Sequence, residues 1–259
     1  MLEKINYLKT QFENVKALGY IKCEYKDLGG PGRMLEKLLI NKTPDSSREA
    51  DFDGIELKTI CDNSKYRLTL FSLIPNVGNY DFKEKMQYFL NFSNASCRNN
   101  CNNNAKSIIE MPHFYLTLFG KRVSYLYGTY KFYLTFDDKN KILYLNWKNI
   151  LTGYVDKSIY WEYSKIISTF SKKLKYLSLV RYSKYLKNGF IFCRYHSIEF
   201  YENIDENLVM DLLKKGIISI SFNISSKYDS IENNLFYYHG TRFEINAENL
   251  CFLYKKIVI

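Results

Sequence analysis

No stretch of this chain approaches the roughly 18 uninterrupted apolar residues that a bilayer-crossing helix needs. The opening MLEKINYLKTQFENVKALGY has the periodicity of an amphipathic helix, not the pattern of a signal peptide. No membrane partner is expected, and a cytoplasmic location follows. Cysteine is sparse and scattered. Of six cysteines only Cys97 and Cys101 stand close, inside CRNNCNNN, and the second Cys or His pair of a structural zinc site is missing. Reduced thiols are expected. There are only four prolines, and no linker rich in Pro, Gly or Ser and no internal repeat interrupts the sequence. A single body is therefore expected over residues 1–259, instead of separable domains.

What is present argues for a folded, basic protein. The chain is 46% hydrophobic, with 24 Tyr and 18 Phe spread along its length, which is too apolar and aromatic for disorder. At 259 residues it can bury a substantial core without disulfides or structural metals. Lys and Arg number 37 against 27 Asp and Glu, and the net charge of +10 attracts polyanions over long range. A merely solvated lysine excess would give the same balance, so motifs must decide.

Leu2, Ile5, Leu8, Phe12, Val15 and Leu18 recur at helical spacing until Gly19, which predicts a first helix. After the turn LGGPGR, the run RMLEKLLI predicts a short helix with Glu36 near its middle. A polar loop leads to Asp51 and to GIELKTI, whose β-branched, half-alternating pattern predicts a strand. Another strand is expected from Tyr66 to Leu73. From His113 to Trp147, FYLTLF, VSYLYG, YKFYLTF and ILYLNW are separated by hairpin signals and predict a β-meander. Residues 160–173 and 205–215 have helical periodicity, so Tyr160 and Trp161 would begin an amphipathic helix. LKYLSLV, ISISFNIS and HGTRFEIN read as strands, and 246–254 as a closing helix.

The chemistry concentrates in Asp51-Phe52-Asp53-Gly54-Ile55-Glu56-Leu57-Lys58. Residues two apart on a strand share a face, so Glu56 and Lys58 point together while Ile55, Leu57 and Thr59 face the core. Asp51 can meet Glu56 across the strand's entry. Two carboxylates at one point repel unless a cation joins them, and few protein oxygens plus waters suit Mg²⁺. Lys58 would then stabilise hydroxide and the charge developing on a phosphate. Glu36 could reach the site from the preceding helix. The competing reading is a surface ion pair at the mouth of a strand.

The segments GYIKCEYKDLGGPGRMLEKLL, ADFDGIELKTI and RLTLFSLIP resemble the catalytic half of the MvaI and BcnI restriction endonucleases, relatives of the repair nickase MutH and members of the PD-(D/E)XK nucleases. SIYWEY, KKLKYLSLV and HGTRFEIN extend the resemblance along nearly the whole chain, in order. It implies an α/β fold, a PD-(D/E)XK core with a mixed central sheet flanked by helices, plus a DNA-recognition lobe. The catalytic lobe would cover about 1–180 and the recognition lobe about 181–259. The implied activity is Mg²⁺-dependent cleavage of double-stranded DNA by a monomer that cuts one strand at a time in a short, nearly symmetric site. Carried over, Asp51 and Glu56 are the metal-binding acids, joined by Leu57 in the metal set. Lys58 is the catalytic lysine and Glu36 the helix acid. The short spacing from Asp51 to Glu56 favours the restriction branch, whose partner in the host is a methyltransferase of the same specificity. Alternatives are a MutH-like mismatch-repair nickase and a non-catalytic basic DNA-binding protein.

SISFNIS and YYHGTRFEIN resemble the family's recognition region. Alternation places Arg242, Glu244 and Asn246 on one face over Phe243 and Ile245. The resemblance suggests that readers of CC-x-GG carry arginines where this chain has Asn223 and Glu244. Asn prefers adenine and Glu accepts from cytosine, whereas Arg pairs with guanine. An altered site is expected, with Arg242 able to supply guanine reading. His239 has two readings, a groove contact or a structural histidine beside Gly240. The loop from Lys26 to Arg33, with Gly29, Gly30 and Gly32, permits close backbone approach to a phosphate or is simply a turn.

Overall fold

The computed structural model describes residues 1–25, 27, 29–41, 49–78, 84, 113–126, 128–227 and 235–258. Its elements run α1 (Leu2–Ala17), β1 (Ile21–Lys22), α2 (Gly30–Ile40), β2 (Ile55–Cys61), β3 (Leu68–Ser72), β4 (His113–Phe119), β5 (Ser124–Leu126), β6 (Tyr130–Asp137), β7 (Ile142–Asn149), β8 (Val155–Glu162), α3 (Tyr163–Leu174), β9 (Tyr176–Lys187), β10 (Phe190–Asn203), α4 (Leu208–Lys215), β11 (Ile218–Lys227), β12 (Leu235–Ile245), a 3-10 helix (Ala247–Phe252) and β13 (Tyr254–Ile257). The fold is mixed α/β with three sheets. No helix among the described residues is long and apolar enough to cross a membrane.

Two compact units share the chain, and each is discontinuous. The first comprises 1–68, 167–209 and 246–259, the second 69–166 and 210–245. Residue 180, where the sequence puts the lobe boundary, lies inside strand β9.

The first unit is built on a five-stranded sheet ordered β1-β10-β9-β2, with β13 also paired to β10. Only β2 runs parallel to its neighbour, β9, so the sheet is mixed and β2 is its edge. Ile5, Leu8, Phe12 and Val15 of α1 and Leu35 and Leu39 of α2 cover one face, packing with Ile55 and Leu57. Leu2 and Leu18, the outer members of the α1 periodicity, are exposed. Burying each such aliphatic or aromatic side chain stabilises the unit by roughly 1.5–3 kcal/mol.

The second unit holds the sheets β3-β12-β11-β4 and β5-β6-β7-β8. The expected meander is thus divided, because β4 pairs with β11 and leaves only β5 to β8 as consecutive neighbours. Tyr160 and Trp161 lie in β8, and the helix begins only at Tyr163. Trp161 is buried in the core, its indole donating to the Leu73 carbonyl at 3.1 Å and meeting Phe243 edge-on. The closing helix is a 3-10 segment followed by a strand. Cys23, Cys61, Cys193 and Cys251 are free thiols, while Cys97 and Cys101 fall outside the described residues.

Candidate active site

The site begins with a tight turn. Phe52 and Ile55 exchange backbone hydrogen bonds of 3.0 and 2.7 Å, and between them Asp53 and Gly54 have φ of 46° and 90°. Both signs are those of a type I′ turn, for which Asp-Gly is a preferred pair. The turn is fastened to α1 by Tyr7 stacked on Phe52 and by Lys4 within 3.5 Å of the Asp53 carboxylate. It folds Asp51 back beside Glu56.

Backbone direction then supplies a third oxygen. The Leu57 N–H donates to the Asp51 carboxylate at 3.0 Å, so Leu57 turns its polar backbone to the free edge of β2. A strand residue's N–H and C=O point to the same side, which leaves the Leu57 carbonyl on that edge with Asp51. Leucine has no other donor to offer a metal.

Glu56 and Lys58 share the opposite face from Ile55 and Leu57, and Lys58 Nζ lies 2.5 Å from Glu56 Oε1. Glu56 is only 1% exposed, and its second oxygen, Oε2, is buried without a hydrogen-bond partner. Burial raises the Glu56 carboxyl above its ordinary value. Lys58 and Lys173 act against that rise, while the negative charge of Asp51 adds to it. Lys173 was missed in the sequence. It stands at the end of α3 with Nζ 3.4 Å from Glu56 Oε1, and no local pattern in the sequence signals a pairing between groups so far apart in the chain. Beneath it Tyr254 donates to the Leu174 carbonyl at 3.1 Å, and burial together with the Glu56 charge keeps its phenol protonated.

A buried carboxylate with an unpartnered oxygen, a second acid and a strand-edge carbonyl fit a hard divalent cation that keeps most of its waters. Among the described residues, no three His, Cys, Asp or Glu side chains gather closely enough to hold a metal by themselves. Glu36 is accordingly not gathered with Asp51 and Glu56. It is half-buried on α2, one turn beyond Gly32, whose Cα faces Thr59 of β2.

Arg33 pairs with Asp27, holding that carboxyl below its usual value, and stacks over Tyr25 at 4.5 Å. Gly30 serves packing, since a Cβ there would lie 2.8 Å from Tyr25 Cβ. Lys26 falls outside the described residues. Asn246 stands at the N-terminal boundary of the 3-10 helix without a side-chain capping bond, and its Oδ1 accepts from Arg67 at 3.1 Å. Arg242 and Glu244 lie on β12, with Arg242 Nε 3.4 Å from Glu244 Oε1. Asn223 of β11 faces a bulge in β12 that contains His239 and Gly240, the latter with φ of 91°. Bulges of this kind re-aim side chains and cluster near functional sites.

Two acids and a lysine at the open edge of a mixed sheet can together hold a divalent cation and meet a phosphate. The comparisons give this arrangement a family. A family model described as MvaI/BcnI restriction endonuclease matches residues 9–254. The chain belongs to that family, and it is a site-specific DNA endonuclease. A solved restriction endonuclease MvaI in complex with cognate DNA substrate is similar over 100% of this chain and 99% of its own, at 24% identity and a TM-score of 0.81. MvaI in the absence of DNA is similar over 100% and 98%, at 22% identity and a TM-score of 0.56. No curated protein sequence matches.

Proposed function

We propose that the chain is a type II restriction endonuclease that hydrolyses phosphodiester bonds within a short double-stranded DNA site in a Mg²⁺-dependent reaction, as a monomer that nicks one strand at a time. The observation that carries this is the meeting of Asp51, Glu56 and Lys58 at one strand edge with Glu56 Oε2 left unpartnered. Asp51, Glu56 and the Leu57 carbonyl would hold Mg²⁺, and Glu36, which is not gathered with them, would support the site from α2. When bound, the ion supplies Lewis-acid neutralisation of the phosphate and a lowered pKa for water.

The chain's own groups do the rest. Lys58 sets an ammonium beside the attacking water and the scissile phosphate, which favours hydroxide and the charge of the transition state. Asp51, tied to the Leu57 N–H, keeps its carboxylate fixed while DNA binds. The first unit is the PD-(D/E)XK catalytic lobe. The second unit carries the DNA-recognition residues Asn223, His239 and Arg242, with Glu244 beside Arg242 on β12, and Lys26, Arg33 and Asn246 of the first are further DNA contacts. MvaI has been solved with its cognate DNA substrate, which supports a duplex partner here. In the host a methyltransferase would protect the same sequence, and that sequence differs from CC-x-GG.

The test is cleavage of methylation-free plasmid with Mg²⁺ or with chelator, followed by sequencing of the ends. Cuts at one short sequence, only with Mg²⁺, are expected. No cutting of unmodified DNA without a partner protein would transfer the chain to the repair nickases, and cuts at CC-x-GG would remove the altered site.

A further inference from the structure

We propose that Glu244 reads no base but instead fixes Arg242 as the guanine reader of the recognition site. This rests on the reading of the chain as a sequence-specific endonuclease whose second unit faces DNA.

A glutamate that reads cytosine must bring a free carboxylate oxygen to the groove. Glu244 does not. It is 6% exposed, its Oε2 accepts from Ser221 Oγ at 2.6 Å, and its Oε1 lies 3.4 Å from both Thr69 Oγ1 and Arg242 Nε. Ser221 Oγ is in turn 3.0 Å from Thr117 Oγ1. The chain from Thr117 through Ser221 and Glu244 to Thr69 therefore crosses all four strands of one sheet, from β4 to β3. Such a connected network holds its members in one geometry, because each polar group is satisfied only in that arrangement. A base contact by Glu244 would have to break it.

Arg242 has the opposite character. It stands directly across from Ser221 in the β11–β12 ladder, on the same sheet face as Glu244, and its side chain is 31% exposed. Its Nε is buried without a hydrogen-bond partner, 3.4 Å from Glu244 Oε1 in an ion pair, and Glu244 is its one acid partner among the described residues. With Nε turned to Glu244, the paired terminal nitrogens are what the guanidinium can present outward. That end-on fork matches the O6 and N7 acceptors of guanine, and the negative charge of the carboxylate behind it holds the guanidinium at this position. Glu244 is a positioning residue, and the base opposite this part of the sheet is guanine.

The experiment selects DNA from a randomised duplex library with wild type, Arg242→Ala, Glu244→Gln, Ser221→Ala and the Arg242→Ala/Glu244→Gln double variant, in Ca²⁺ without cleavage. The same proteins are then tested for Mg²⁺-dependent cutting of the selected duplexes. Arg242→Ala is expected to lose preference for one G·C pair by roughly 5- to 150-fold. Glu244→Gln and Ser221→Ala are expected to weaken preference at that same pair and no other, and the double variant to be no worse than Arg242→Ala. A merely structural Glu244 would weaken binding to all sequences alike. The proposal falls if Glu244→Gln moves a position from cytosine toward adenine, if the two substitutions add, if Arg242→Ala leaves every preference intact, or if wild type selects no sequence. Selection of a sequence without Mg²⁺-dependent cutting of it would instead overturn the endonuclease reading and leave the base-reading assignment standing.

Discussion

The Asp51 carboxylate accepts the backbone N–H of Leu57 at 3.0 Å, so an acid outside the strand is locked to the strand that carries Glu56 and Lys58. That bond separates two roles of one side chain. Asp51→Asn keeps an oxygen for the Leu57 N–H but removes the charge. Its melting temperature should stay near that of the parent while cleavage falls by at least about 100-fold, the scale of removing a group that stabilises transition-state charge. Calorimetry and plasmid nicking on the same preparation check both halves, and a variant as active as the parent would remove Asp51 from the metal set.

The two lysines on Glu56 should differ in consequence. With the role proposed for its ammonium at the transition state, Lys58→Ala should lower kcat on the order of 100- to 1,000-fold with little change in affinity for cognate DNA. Lys173→Ala removes a cation whose one acid partner among the described residues is Glu56 and should cost roughly 10- to 100-fold. Single-turnover rates beside DNA affinities measured in chelator separate the two. Equal losses would mean that Lys173 also meets the phosphate.

Without metal, burial of the Glu56 carboxylate opposes folding of its charged form. Burial holds its carboxyl above the ordinary value, so its charged form is disfavoured in the fold, and stability falls as pH rises through the raised value. Glu56→Gln should therefore raise metal-free stability near neutral pH by about 1 kcal/mol, with the gain shrinking in acid, where both side chains are neutral. Activity should be lost. Thermal melts in chelator across the acid-to-neutral range test this, and a Gln variant less stable than the parent at neutral pH would reverse the sign.

Helix α2 is seated through a residue with no side chain. A Cβ on Gly30 would lie 2.8 Å from Tyr25 Cβ and 3.0 Å from the Tyr25 carbonyl oxygen, and backbone cannot yield as a long side chain can. Gly30→Ala should cost about 1–3 kcal/mol by overpacking and should lower cleavage by displacing the helix that carries Glu36. Gly19→Ala makes a useful contrast, since no atom lies within 4 Å of its added Cβ and only its φ of +67° opposes it. Urea denaturation of the two variants checks the difference, and equal losses would show that crowding at Tyr25 is unimportant.

Much of the site was legible because it is local. Asp53-Gly54 specifies a I′ turn, the turn sets Asp51 against Glu56, and strand alternation puts Lys58 beside Glu56 and Leu57 in the core. The residues of α1 that periodicity assigned to the core are buried, apart from the two end leucines. Even the hairpin joining β9 and β10 had a signal in Asn188-Gly189, both with positive φ, although no hairpin was expected there.

What tertiary structure alone decided is what depends on distant partners. Tyr160 and Trp161 fit a helical stripe, yet pairing with β7 draws them into β8, because a ladder of backbone hydrogen bonds outweighs a weak local propensity. β4 left its meander neighbours for β11, a choice no short-range pattern encodes. Lys173 reaches Glu56 only because α3 ends over the sheet, and Glu244 became an internal support because Ser221 and Thr69 reach it from the two neighbouring strands while Arg242 lies beside it on β12. Sequence sets which groups a turn or strand presents together. The pairing of segments far apart in the chain sets which of those groups remain free to act.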